Sequence, residues 1–271
     1  MSGSPAPGAP RVLQEVNRDG SGNRLLLYQI EGRPALLKVY RARGGRAREW
    51  VKLFSYFVFE RKRGVTARER CALERAQLAL WRRHGFDVPQ LLSHPLPEGH
   101  SAETASWLEY CPGPTLRSVV SEVARPVAER ESLLARFGAT LAAREVRVLE
   151  TGELGLVMKH ASLKHVLCHA GLQIHFDLES AHAPGVDARD ALADELAGLV
   201  RSLLRAIRPG ERERLGAALL EGHAEPKLLH EIASRALSGS LRRRLERASD
   251  RLRRGELGKY AALCWVQERV S

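Results

Sequence analysis

The order of apolar runs predicts an α+β protein of two lobes, with antiparallel strands first and helices afterwards. Three observations carry this. Short apolar runs separated by Gly- and Pro-bearing turns fill residues 11–110. The stretch "CPGP" (111–114) stops them. Beyond it the chain reads as helical through 271, except for short strands within 165–177 that turn at Gly171. A sheet lobe over 11–110 and a helical lobe over 111–271 follow, with "MSGSPAPGAP" (1–10) as a disordered tail that lacks the features of a secretion signal.

The elements come in order. "RVLQEV" (11–16) and "RLLLYQI" (24–30) flank the turn "NRDGSGN" (17–23), and "EGRP" (31–34) leads into "ALLKVY" (35–40), giving a three-strand meander. Residues 41–65 form a basic and aromatic insert. Read as a helix from Arg46, it puts Trp50, Leu53, Phe54 and Phe57 on one face beside Arg48, Lys52, Arg61, Lys62 and Arg63. That pattern suits an anionic membrane surface, and it equally suits packing as lobe core. A helix follows from Thr66, which forms a capping box with Glu69, and runs to about Arg83, where His84-Gly85 ends it. Leu73, Ala76 and Leu80 make one stripe; Glu74, Leu78 and Trp81 make the adjacent one, so Glu74 points partly inward and needs a partner. "VPQLLSHPL" and "ASWLEY" (105–110) complete five strands.

Composition bounds the function without choosing it. The net charge is +11, from 43 basic and 32 acidic residues, and all but seven of the basic ones are arginine. Such a balance fits nucleic acid, a membrane surface, an anionic substrate or an arginine-rich codon usage. The arginines of 240–257 alternate with Glu and Asp as on a solvated helix face, which argues against nucleic acid as the partner. Four cysteines without a C-x-x-C pair suit a reducing cytosol, and no apolar run approaches the roughly 20 residues of a membrane span. The expected location is cytoplasmic, with peripheral attachment at the inner face of the inner membrane through the insert.

Chemistry concentrates in "HASLKHVLCHAGLQIHFDLES" (160–180), with His160, His165, His169, His175 and an acid, Asp177, closing the strand "LQIHF". Three readings compete: a metal site, an altered phosphoryl-transfer loop, or surface histidines. Zinc could use His165, Cys168 and His169, but no paired spacing elsewhere completes four ligands.

Taken together, Lys38 in "ALLKVY", Glu74 on the following helix, the "CPGP" stop, "MKHASLKHVL" and "FDLES" resemble the lipopolysaccharide-kinase (Kdo- and heptose-kinase, InaA-like) branch of the protein-kinase-like superfamily. The resemblance spans residues 11 to about 260 and lies in the order and spacing of the set. It implies a bilobal protein-kinase-like fold, with a five-stranded antiparallel sheet lobe and a helical lobe carrying a catalytic-loop region at 158–180. Lys38 would hold the phosphates of ATP and pair with Glu74, with Glu69 as the fallback. Gly20 and Gly22 stand in the place of the glycine-rich loop, and Glu109 to Cys111 in the place of the adenine hinge. Asp177 would carry Mg²⁺, with His165 at the second metal position. Without gaps, His160 falls where the catalytic aspartate belongs; a two-residue deletion puts Ser162 there instead. The ungapped match keeps the spacing to Asp177 near normal and is preferred. In either match that aspartate is replaced. The resemblance therefore implies an ATP-dependent phosphotransferase acting on a lipopolysaccharide-core sugar or related glycolipid hydroxyl, or else a pseudokinase, a nucleotide-binding or scaffolding module. Asp194 or Glu195 would steady the loop backbone.

Overall fold

A computed structural model describes residues 10–14, 22–41, 62–64, 66–237 and 258–270. Gly20, most of the 41–65 insert and all of 240–257 lie outside the described residues. The chain divides into two compact units, Met1–Pro112 with Ile174–Ala183, and Gly113–Gln173 with Pro184–Ser271.

The first unit is built on an antiparallel sheet of β1 (Arg11–Gln14), β2 (Arg24–Ile30), β3 (Arg33–Val39) and β5 (Ala105–Glu109), in that spatial order. Glu31 and Gly32, at φ 51° and 77°, make the two-residue turn between β2 and β3, matching the twist of the flanking strands. Alternation sorts the side chains. Leu26, Tyr28, Ala35, Leu37, Ala105 and Trp107 form one buried cluster, with Leu92 and Leu96 against it. Lys38 lies one residue off that period, level with Leu25 and Ser106, and so faces the opposite side.

Two expectations need correction. The sheet has four strands among the described residues, because the stretch 88–96 forms only a single bridge, Leu91 to Leu108, beside β5. Its amides at Gln90 and Leu92 reach Glu109 Oε2 and the Trp107 carbonyl, but Pro89 and Pro95 supply no N–H to extend a ladder. The buried face of helix α1 (Ala67–Arg83) is Arg70, Cys71, Glu74, Gln77, Leu78 and Trp81, whereas Ala76 is exposed. The stripe carrying Glu74 is therefore the inward one. Thr66 caps this helix by accepting from Glu69 N at 3.1 Å, and Gly85 at φ 79° follows its end. Cys71 and Arg75 both reach Ser106 Oγ, at 3.3 and 2.8 Å, which fixes α1 on the Lys38 face. β4 (Lys62–Arg63) pairs with β8 (Ala181–His182) in the same unit.

The second unit is helical: α2 (Leu116–Ser121), α3 (Val127–Thr151), α4 (Ala188–Ala206), α5 (Arg212–Gly222), α6 (Pro226–Leu237) and α7 (Lys259–Val270). α4 is buried without a break from Ala191 to Val200, a run that is apolar except for Asp194 and Glu195. Gly138 of α3 and Gly222 of α5 admit the backbones of Leu219 and Ala135, where a Cβ would come within 2.3 and 2.2 Å. β6 (Val166–His169) and β7 (Leu172–His175) form a hairpin turned by Ala170 and Gly171 at φ 48° and 80°. The chain passes from the second unit to the first within β7.

Candidate functional site

The first unit gathers four charged groups on the α1 side of the sheet. Lys38, rigidly held in β3, places Nζ 2.7 Å from Glu74 Oε2, 2.7 Å from Asp177 Oδ1 and 3.6 Å from Glu179 Oε2. Glu74 is otherwise satisfied by the Tyr40 hydroxyl, which donates to Oε2. Lys38 meets Glu74 and not Glu69, whose backbone N–H donates to the Thr66 cap. Asp177 sits just past β7 at φ 63°, a left-handed conformation that costs an aspartate less than most side chains. Its carboxylate is 33 % exposed, while Glu74 and Glu179 are at 2 % and 4 %, so Asp177 is the acid of the set that solvent reaches.

Burial disfavours the charged form of Lys38, but the fields of Asp177, Glu74 and Glu179 outweigh it and raise its pKa, leaving a fixed ammonium. Burial also lifts Glu74, against the pull of Lys38. The cation is thus permanent and the site's net charge is set by its acids.

Five contributors are not singled out by the sequence: Glu179, Arg70, Asn23, Gln77 and Gly64. Glu179 is held by Arg70 Nη1 at 3.1 Å and by Asn23 Nδ2 at 2.5 Å, and Arg70 also donates to Asn23 Oδ1 at 2.8 Å and to the Arg41 carbonyl. Arg70 is fully buried. Its signal was present, because it lies four residues before Glu74 on the inward stripe. Gln77 Nε2 donates to the Ser180 carbonyl at 3.3 Å, so both Glu179 and Ser180 are tied to α1. Gly64, at φ 92°, lets β4 pass where a Cβ would meet the Glu179 carbonyl at 2.4 Å.

Glu109 ends β5, and its N–H reaches the Gln90 carbonyl at 2.8 Å. Cys111 is buried, and burial followed by the nearby Glu109 charge pushes its thiol up to about 11. Gly22 lies in the strand approach at φ 100°; its companion Gly20 is outside the described residues. His175 packs against Trp81 with ring centroids 5.0 Å apart, and its amide donates to the Asp87 carbonyl at 2.9 Å.

The loop 158–165 belongs to the second unit. Met158 N donates at 2.9 Å to Glu195, which also accepts from the buried Arg144 at 2.7 Å. Of the two acids left open on α4, Glu195 thus holds the loop backbone, whereas Asp194 pairs with Lys159 at 3.7 Å. His165 Nδ1 lies 3.0 Å from the His160 carbonyl; a carbonyl only accepts, so Nδ1 carries the proton and Nε2 carries the ligating lone pair when the ring is neutral. Ser162 Oγ meets Ser202 Oγ at 2.9 Å and caps the 3₁₀ turn Leu163–His165, whereas the His160 side chain is exposed. No group of three His, Cys, Asp or Glu able to hold a metal ion occurs among the described residues, so the zinc set does not assemble there.

No protein-family model matches the chain and no curated protein is similar to it. Among solved structures it is similar to WaaP in complex with acyl carrier protein, at 16% identity over 83% of this chain and 87% of that one, with a TM-score of 0.45. It is similar to the PknI kinase domain of Mycobacterium tuberculosis at 13% identity over 99% and 98% of the two chains, TM-score 0.44. The thermostable mutant of aminoglycoside phosphotransferase APH(4)-Ia, in its apo form, gives 15%, 98% and 93%, with a TM-score of 0.39.

Proposed function

We propose that the protein binds ATP with Mg²⁺ and transfers a phosphoryl group to a hydroxyl, with a lipopolysaccharide-core sugar or related glycolipid as acceptor at the inner face of the inner membrane. One observation carries the reading. A strand lysine is held between a helix glutamate and a strand-end aspartate at 2.7 Å from each, the arrangement that positions a cation against nucleotide phosphates. In its nucleotide-bound form Lys38 exchanges Asp177 for phosphate oxygens while Glu74 keeps its stem in place. Mg²⁺ fits the donor set, because Asp177 offers a partly exposed hard-oxygen ligand and Glu179 is committed to Arg70 and Asn23. Asp177 would hold the ion together with nucleotide oxygens and water. Bound there, the ion would neutralise charge on the transferred group.

His160 is the group assigned to the acceptor hydroxyl. It is exposed, whereas Ser162 is occupied as a cap, which favours the ungapped match. Transfer depends mainly on positioning and charge, so a histidine in the aspartate's place lowers rate more than it alters binding. That same replacement favours the second reading, a nucleotide-binding pseudokinase. No described helix is long and apolar enough to cross a membrane.

The test is thermal shift with ATP, with and without Mg²⁺. Occupancy at 100 Kd adds about 2.7 kcal/mol by mass action. Lys38→Met and Asp177→Asn, each measured against its own ligand-free melting point, should lose the shift. Wild type that gives no shift at millimolar nucleotide overturns the reading. A shift without phosphoryl turnover on any glycolipid acceptor selects the pseudokinase.

A further inference from the structure

Asp177 is held between two anchored flanks of the first unit. On its N-terminal side β7 ends at His175, whose ring packs against Trp81 at 5.0 Å between centroids and whose amide donates to the Asp87 carbonyl at 2.9 Å. On its C-terminal side Glu179 and Ser180 are tied to α1 through Arg70 and Gln77. Between these flanks Asp177 takes φ 63°, a conformation that a residue with a Cβ keeps where its surroundings impose it. The direction of its carboxylate is therefore set by how firmly the two flanks are held.

An amide closes the C-terminal flank. Asn23, directly before β2, donates from Nδ2 to Glu179 Oε2 at 2.5 Å and accepts at Oδ1 from Arg70 Nη1 at 2.8 Å. Arg70 Nη1 also reaches Glu179 Oε1 at 3.1 Å, so three buried side chains from three parts of the unit form a closed ring. Its donors and acceptors match only as one cation, one carboxylate and one amide. A carboxylate in place of the amide would face Glu179 with like charge. An amide in place of Glu179 would set its NH₂ against that of Asn23 once its oxygen had taken Arg70. Lys38 Nζ lies 3.6 Å from Glu179 Oε2, so the oxygen that takes the Asn23 bond borders the cation of the site.

We infer that Asn23 is a positioning residue for the metal: through Glu179 it fixes Asp177 in the orientation that receives Mg²⁺. The inference rests on the nucleotide reading, in which Asp177 is the metal's protein ligand. Both polar ends of the buried Asn23 side chain are committed to Glu179 and Arg70, so it acts through them and not by contact with the ion. The consequence is a split in binding. Metal-free nucleotide is held by Lys38, which Glu74 keeps in place, whereas the gain that Mg²⁺ adds passes through Asp177. Groups that orient a metal's ligands typically change metal affinity by about 10- to 100-fold.

ATP binding to the full chain is measured calorimetrically in Mg²⁺ and in EDTA, and the ratio of the two Kd values is the metal advantage. Asn23→Asp keeps an acceptor for Arg70 but opposes Glu179; it should cut the metal advantage by about fivefold or more and change the metal-free Kd by less than about twofold. Glu179→Gln should do the same, and serves if Asn23→Asp fails to fold. The exchange Asn23→Asp/Glu179→Gln again puts one carboxylate and one amide beside Arg70, and should return the metal advantage to within about twofold of wild type. A folded single variant that keeps the full metal advantage, or that weakens ATP equally in Mg²⁺ and EDTA, overturns the inference and leaves the nucleotide reading standing. An exchange variant no better than the singles does so too. Wild type that binds ATP equally in Mg²⁺ and EDTA takes the ion away from Asp177 and overturns the inference. Wild type that binds no ATP at millimolar concentration overturns the nucleotide reading and this inference together.

Discussion

Removing the Lys38 charge tests the site's electrostatics directly. Lys38→Met keeps most of the aliphatic stem and deletes the ammonium, leaving Glu74, Asp177 and Glu179 facing one another without it. Breaking a buried pair by removing one partner costs about 3–5 kcal/mol, because the other charge remains uncompensated. Asp177 can turn to solvent and Glu179 keeps Arg70, so the cost falls on Glu74, which is 2 % exposed and, among the described residues, is left with the Tyr40 hydroxyl. The pH dependence follows from the same group. Burial already raises Glu74, and loss of the lysine raises it further. A carboxyl whose folded pKa exceeds its unfolded value favours the folded state while protonated and loses that advantage as pH rises through the folded pKa. The penalty of Lys38→Met should therefore be full at pH 8 and clearly smaller at pH 5. Lys38→Met/Glu74→Gln should recover most of it, since no charge is then stranded. Urea denaturation of wild type, single and double variants at both pH values reads this out. A loss below about 1 kcal/mol at pH 8, or a loss that grows toward pH 5, would refute the description of Glu74 as a buried acid dependent on Lys38.

Other outcomes follow from single contacts. Arg70→Met should destabilise by about 3–5 kcal/mol, because it takes the fully buried guanidinium away from Glu179, and Arg70→Met/Glu179→Leu should cost less than the single change in the same denaturation assay. Gly64→Ala should lose more than about 1 kcal/mol, from the positive φ and the clash with the Glu179 carbonyl, and a neutral result would contradict that close approach. Cys111, with its thiol at about 11, should react with iodoacetamide about 10²-fold more slowly at pH 8 than an ordinary thiol, accelerating only above pH 10, as followed by peptide mass spectrometry. Gly198→Ala should destabilise the second unit, because its Cβ would meet the Ala161 carbonyl at 2.8 Å, and an unchanged melting point would contradict that close approach.

Local pattern was enough to find the strands around the Glu31-Gly32 turn, the Thr66 cap, the helix end at His84-Gly85 and an inward acid at Glu74, since each depends on neighbours within a few residues. It also bounded the hairpin turned at Gly171 and put an aspartate at the end of its second strand. The stretch 88–96 has the apolar content of a fifth strand, but Pro89 and Pro95 lack the donors to extend its single bridge to Leu108. What the sequence left open was settled by contacts across long stretches of chain. Lys38 meets Asp177, 139 positions away, and Arg70 meets Glu179 across 109. Glu195 was chosen over Asp194 by which carboxylate the helix turn aims at Met158 N, a rotation of one residue that composition cannot register. A cavity of about 400 Å³ lined by Arg117, Lys159, Lys164, Arg201, Arg205 and Lys259 is the clearest case. Its cations lie on four segments between 117 and 259, and only the packing of α2, α4 and α7 around one loop makes them neighbours.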